Sequence, residues 1–143
     1  MPHGVVRLLT YAEDVDQPYE GVRVELDWEE RPWGSWHVID VNDGYKIKRI
    51  HVKPDSRLSY QTHGQRSEHW VVISGIATCI IDEETVIAGP GESVDVPQGA
   101  KHRIANEGTE ELVIVEVQRG AYTGEDDITR LEDDYGRHED AAR

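Results

Sequence analysis

Short runs of alternating apolar and polar residues, each ended by Gly, Pro, Asn or Asp, most limit the folds open to this chain. Val22, Val24, Leu26 and Trp28 alternate with Arg23, Glu25 and Asp27, the period-2 signature of a half-buried strand with two unlike faces. Arg31-Pro32-Trp33-Gly34 breaks it. Residues 35–41 and 45–53 are strand-like around Asn42-Asp43-Gly44, which tolerates positive φ and predicts a hairpin. Further runs at 58–63, 68–73, 77–81, 85–88, 92–96, 101–105 and 111–118 are each bounded by turn residues. About ten short strands without an amphipathic helix predict an all-β antiparallel sandwich or barrel.

The 143 residues suffice for one ordinary domain and a real core. The expected division is an N-terminal arm or edge strand over 1–30, a barrel over 31–120, and an acidic strap with a disordered tail over 121–143. Residues 1–20 show neither clean periodicity, and the last twenty form either one short helix or a strap. Residues 138–143 are expected to be disordered. The N-terminus lacks the apolar stretch of a secretory signal and no run of eighteen apolar residues occurs, so the expected setting is soluble and cytoplasmic. Cys79, in an apolar run, is read as a buried inert thiol.

Fifteen basic against twenty-nine acidic residues leave a formal charge of -14, which argues against nucleic acid or anionic membranes as partners. The charges are unevenly placed. Lys46, Lys48, Arg49, Lys53, Arg57 and Arg66 make residues 45–66 a basic island with Asp55 as its one acid, while 124–134 is mostly acidic. A small anion such as a phosphate suits that locality. Lys46 and Lys53 also have a plainer reading, as edge-strand lysines that discourage pairing.

Residues two apart on a strand share a face, so Gln61 and His63 project together. Gly64-Gln65 allow a turn, after which Glu68 can face the same interior, and His102 follows the Pro97-Gln98-Gly99 turn to close the set. An amide oxygen, a carboxylate and two imidazoles suit a divalent ion, Zn first, with Co, Mn, Ni or Fe also compatible. His3, His37, His69 and His138 read as structural, and alternation turns His69 away from Glu68.

Two spacings support this set. Six residues separate Glu68 from Gly75. Gly91, five residues, Pro97, one residue, Gly99, two residues, His102, three residues and Asn106 form the second pattern. These resemble the two motifs of the cupin superfamily, whose fold is a double-stranded β-helix or jelly-roll barrel. Residues 31–36, 45–50, 61–70 and 124–128 are similar to the cupin domain of type II mannose-6-phosphate isomerases, a domain that commonly follows a mannose-1-phosphate guanylyltransferase. Only that domain is recognised here, so no guanylyl transfer is expected of this sequence. Gly64-Gln65 replace the histidines usual in that group, and Asp55 replaces a turn glycine.

The resemblance implies Gln61, His63, Glu68 and His102 as metal ligands, and substrate-pocket roles for Lys48, Ser59 and Arg66. It also implies interconversion of mannose 6-phosphate and fructose 6-phosphate, with Lys48, Arg66 and Lys101 holding phosphate or stabilising enediolate charge. Glu116 and His51 are both candidate bases. The alternatives are a non-catalytic cupin that binds metal and sugar phosphate beside a separate guanylyltransferase, and an iron-dependent dioxygenase. Small cupins often pair through sheet edges, so a homodimer is expected, with the N-terminal arm as a plausible exchanged strand.

Overall fold

The computed structural model describes residues 3–9 and 23–136. Every described strand pairing is antiparallel. One sheet has seven strands in the order β1 (His3–Leu9), β2 (Arg23–Arg31), β3 (Gly34–Asn42), β4 (Tyr45–Val52), β12 (Leu112–Gly120), β7 (Arg66–Ser74) and β10 (Ser93–Val96). The other runs β13 (Thr129–Glu132), β6 (Tyr60–Thr62), β11 (His102–Asn106), β8 (Ala77–Ile81) and β9 (Glu84–Ala88), with β5 (Ser56–Arg57) also on β11. The hairpin at 42–44 forms, and β4 does not turn back on β7 but pairs with β12, seventy residues on in sequence.

Residues 3–9, within the segment expected as an arm or edge strand, form an edge strand held by seven-residue pairing with β2. The 58–63 run shortens to β6, with β5 just ahead of it; Leu58 N–H turns to Ile104 O and Ser59, between the two strands, is buried. Among its described residues the strap has no helix; β13 pairs with β6, a bond partner that local sequence does not reveal. The remainder of the expected arm, 10–22, and the expected tail, 138–143, lie outside the described residues.

Trp33, Trp36, Ile50, Val52, Trp70, Val72, Ile104, Leu112 and Ile114 fill the space between the sheets. On β12 burial alternates with period 2 from Leu112 to Gln118, as a strand with one face on the core requires. Cys79 is fully buried, and burial alone raises its thiol to about 11, so it remains protonated and inert. Gly75 has φ 82, and a Cβ there would stand 2.7 Å from Glu111 O. Both facts demand glycine at that turn. Asp55 takes φ 55, a left-handed position that Asp tolerates.

Asn106 is a buried clasp. Its Nδ2 donates to Val52 O at 2.9 Å and Glu110 O at 2.7 Å, and its Oδ1 accepts Gly108 N–H at 3.0 Å. Asn106→Ala strands those groups and is expected to cost about 2–4 kcal/mol in urea unfolding, at about 1–3 kcal/mol for each buried group left unpaired.

Candidate functional site

The inward rows of three neighbouring strands change from apolar to polar at one level. Leu112 and Ile114 give way to Glu116 and Gln118 on β12. Ile50 and Val52 are preceded by Lys48 on β4, and Trp70 and Val72 by Arg66 and Glu68 on β7, all of them buried. Glu116 is the register partner of both Lys48 and Trp70. One end of the barrel is therefore core, and the other is a buried polar chamber.

The second sheet faces it with the remaining candidate ligands. Gln61 on β6 pairs directly with His102 on β11, and His63 follows β6. Ligand atoms of His63, Glu68 and His102 lie within 4.8 Å of one another. His63 Nε2 is 3.1 Å and His102 Nε2 3.8 Å from the Glu68 carboxylate. Donors about 2.0–2.2 Å from a shared ion stand roughly 3–4 Å apart, so the spacing fits a single divalent ion.

The hydrogen bonds orient these atoms. His63 donates Nδ1–H to Asp127 O at 2.7 Å and His102 donates Nδ1–H to Ala100 O at 3.0 Å. That choice of tautomer leaves each Nε2 an acceptor, the outer-shell arrangement of metal-binding histidines. His102 Nε2 is buried without a hydrogen-bond partner, and a cation is the partner its lone pair can take. Glu68 Oε2 accepts Arg66 Nε–H at 2.9 Å, and Oε1 accepts Trp70 Nε1–H at 2.9 Å. The donor set fits a Zn-type or harder divalent ion. Gln61 Oε1 accepts the Ser59 hydroxyl at 2.8 Å, so Ser59 steadies the amide.

A cavity of about 80 Å³ opens beside this set, lined by Trp36, Lys48, Ser59, Gln61, His63, Arg66, Glu116 and Glu125 among others. Lys48 Nζ sits 4.1 Å from the Trp36 ring centroid and 2.6 Å from Glu125 Oε1, so its charge is shared between a ring face and a carboxylate. Lys46 donates to Thr123 O at 2.7 Å and to Glu125 at 3.2 Å. The basic island and the acidic strap meet here, and again where Arg57 forks onto Asp134.

Burial pushes Glu68 upward, but its close neighbours His63, His102 and Arg66 outweigh it and hold the carboxyl well below its usual range. Glu116 goes the other way. Burial and the Glu68 charge raise it to about 8 against the opposing pull of Lys48 and Arg66. One carboxylate is thus kept ionised and its neighbour protonated. A dication at the ligand set would draw Glu116 down again.

Two expectations need correction. Lys101 is exposed and is not among the cavity's lining residues; it precedes inward-facing His102, and its backbone N–H bonds Asp82 at 2.9 Å. His51 lies on the outer face, taking a hydrogen bond from Arg49 at 2.9 Å and pairing with Glu111 at 3.1 Å. Gly64 and Gln65 are exposed and do not line the cavity. His69 points outward onto Asp95. Reading residue types alone passed over Trp36, Gln118, Glu125 and Asp127. An acid and an amide continuing the Leu112–Ile114 alternation were the available signal for Glu116 and Gln118.

Two antiparallel sheets closed into a barrel, with two imidazoles and a carboxylate gathered inside one end, define a cupin. Within that class the chain belongs to the mannose-6-phosphate isomerase C-terminal family, whose model matches residues 24–133. It is 49% identical over 107 residues to the alginate biosynthesis protein AlgA of Pseudomonas aeruginosa, covering 75% of this chain and 22% of that one. It is 47% identical over 107 residues to a mannose-1-phosphate guanylyltransferase of Escherichia coli K12, with the same coverage. The chain therefore spans less than a third of the length of these curated relatives. Its fold matches an S161A mutant of Bacillus subtilis oxalate decarboxylase with a TM-score of 0.63 at 21% identity, over 72% of this chain and 29% of that one.

Proposed function

We propose that this chain is a metal-dependent cupin that interconverts mannose 6-phosphate and fructose 6-phosphate. The observation that carries the reading is one chamber in which Gln61, His63, Glu68 and His102 converge beside the buried cations Lys48 and Arg66 and the buried acid Glu116. The family match and the guanylyltransferase relatives support the sugar-phosphate assignment.

An aldose becomes a ketose when the C2 proton is removed, the resulting enediol takes a proton at C1, and the hydroxyl proton passes from O2 to O1. Gln61, His63, Glu68 and His102 would hold a divalent ion, which would supply Lewis-acid polarisation. Arg66, bonded to Glu68 beside the ligand set, stabilises negative charge developing on oxygen in a chamber where water is scarce. Glu116, buried between Lys48 and Trp70, is the group assigned to carry the proton from C2 to C1. Gln118 Nε2 donates to Glu116 Oε1 and orients the carboxyl.

The Glu125 carboxylate sits on Lys48 and Lys46 beside the cavity, so a substrate phosphate that binds those lysines takes its place. The same contact favours a second reading, a sugar-phosphate binder without turnover acting beside a separate guanylyltransferase. A coupled assay for fructose 6-phosphate on metal-stripped protein, resupplied in turn with Zn, Co, Mn, Ni and Fe, decides. Turnover with one ion is expected. Calorimetric binding of mannose 6-phosphate without turnover under any ion would replace the enzyme by the binder.

A further inference from the structure

Glu125 and Ile128 of the Gly124-Glu125-Asp126-Asp127-Ile128 stretch border the cavity, but Asp127 does not. It grips instead three consecutive residues of the loop leaving β6. Its main-chain oxygen accepts His63 Nδ1–H at 2.7 Å, its Oδ1 accepts Gly64 N–H at 3.0 Å, and its Oδ2 accepts Gln65 N–H at 2.9 Å. We infer that Asp127 is a positioning residue for the metal centre, locking the His63 imidazole and its loop from a strap more than sixty residues away.

The two histidines are anchored differently. His102 leans on Ala100 O, two residues back in its own turn, so its orientation is a local property of β11. His63 leans on a carbonyl of the strap, and the direction of its Nε2 depends on where that carbonyl sits. The Asp127 carboxylate sets the position by clipping the next two amides of the loop, so ring and backbone are held by one residue. The far side of the loop is held by Gly99 N–H on His63 O at 3.1 Å and by Gln98 Nε2–H on Gly64 O at 2.7 Å. Pairing of β13 with β6, Arg130 opposite Gln61, places the strap beside a second ligand. Two N–H donors need two acceptor oxygens. A carboxylate has both; an asparagine in its place keeps one and turns an amide N–H toward the other donor. Outer partners of ligating histidines are typically worth 10–100-fold in metal affinity.

The test uses the full chain stripped of metal and titrated with Co²⁺, whose visible absorption reports ligand geometry, with thermal unfolding of the metal-free forms alongside. Asp127→Ala is expected to weaken Co²⁺ binding about 10–100-fold and to alter the absorption bands. Asp127→Asn should fall between Asp127→Ala and the parent. Asp126→Ala removes the same charge from a residue that bonds Tyr122 rather than the loop, and should match the parent. Unaltered affinity and bands in Asp127→Ala, or an equal loss in Asp126→Ala, would overturn the assignment. Should Asp127→Ala not fold, parent-like affinity and bands in Asp127→Asn overturn it alone. None of these readouts requires turnover, so the result stands apart from that of the isomerase assay.

Discussion

Glu68→Gln is expected to lower metal affinity by more than about 100-fold, beyond the usual effect of an outer partner, and to abolish metal-dependent turnover. Glu68 is the one carboxylate in the ligand set, and at 4% exposure it has no water to replace it. Its partners make the substitution costly in the metal-free protein too. Arg66, 5% exposed, relies on Glu68 for its closest hydrogen bond, at 2.9 Å. Leaving a buried cation without its anion costs about 3–5 kcal/mol when nothing else compensates.

Here something does. Glu116 is held protonated partly by the Glu68 charge; with that charge gone it ionises more readily and takes over as counter-ion for Arg66 and Lys48. The single substitution should therefore cost less than that figure, and Glu68→Gln with Glu116→Gln more than the sum of the two singles. Urea unfolding of the four metal-free proteins measures the coupling, and additive losses would refute it. The pH dependence follows from the same groups. Because the folded Glu68 carboxyl lies well below its ordinary value of 4.5, its stabilising contribution is present above about pH 4.5 and disappears as pH falls through the folded value.

Much of the fold is written locally. Alternation located β3, β4, β7, β8, β10 and β12 within a few residues, since each buries one face against the core, while β9, exposed over four of its five residues, was marked by its bounding turns. The strands it passed over, β1 and β13, owe their conformation to backbone pairing with β2 and β6, which leaves no pattern in their own side chains. The grouping of His63, Glu68 and His102 at one end of the barrel, with Gln61 paired to His102, was legible because Gln61, His63 and Glu68 are close in sequence and His102 sits in a spaced turn motif. Lys101 misled because a basic residue beside a ligand is near it in sequence but, on a strand, faces the other way. Asp127 and Glu125 were passed over for the opposite reason: their partners Gly64, Gln65 and Lys48 lie more than sixty residues away, and only the closed barrel brings them together. The acidic strap was visible as charge, and its complement in the basic island was visible too, but not which acid meets which base.

Glu116→Gln is expected to lower kcat by about 10²–10⁴-fold, the usual worth of a positioned proton carrier, with metal content unchanged and KM shifted by a few-fold at most. The amide keeps the shape of the carboxyl and can still accept the Gln118 hydrogen bond, so neither chamber nor ligand set is disturbed. What it loses is the ability to take a proton from C2 and return it at C1. Washout of deuterium from C2 of labelled mannose 6-phosphate should fall in parallel with kcat, because the same group performs both. Stability gives an independent reading on the metal-free proteins. With its carboxyl raised to about 8, folded Glu116 retains a proton that the unfolded chain releases near 4.5, so the folded state binds more protons across that interval. Its contribution to stability must then decline as pH rises from about 4.5 through 8, and Glu116→Gln should remove that decline. If the decline vanishes while kcat and washout remain at parent levels, Glu116 is a buried acid tolerated by the fold and the proton travels by another group. If all three change together, the one acid that breaks the apolar row of β12 is the base of the isomerisation.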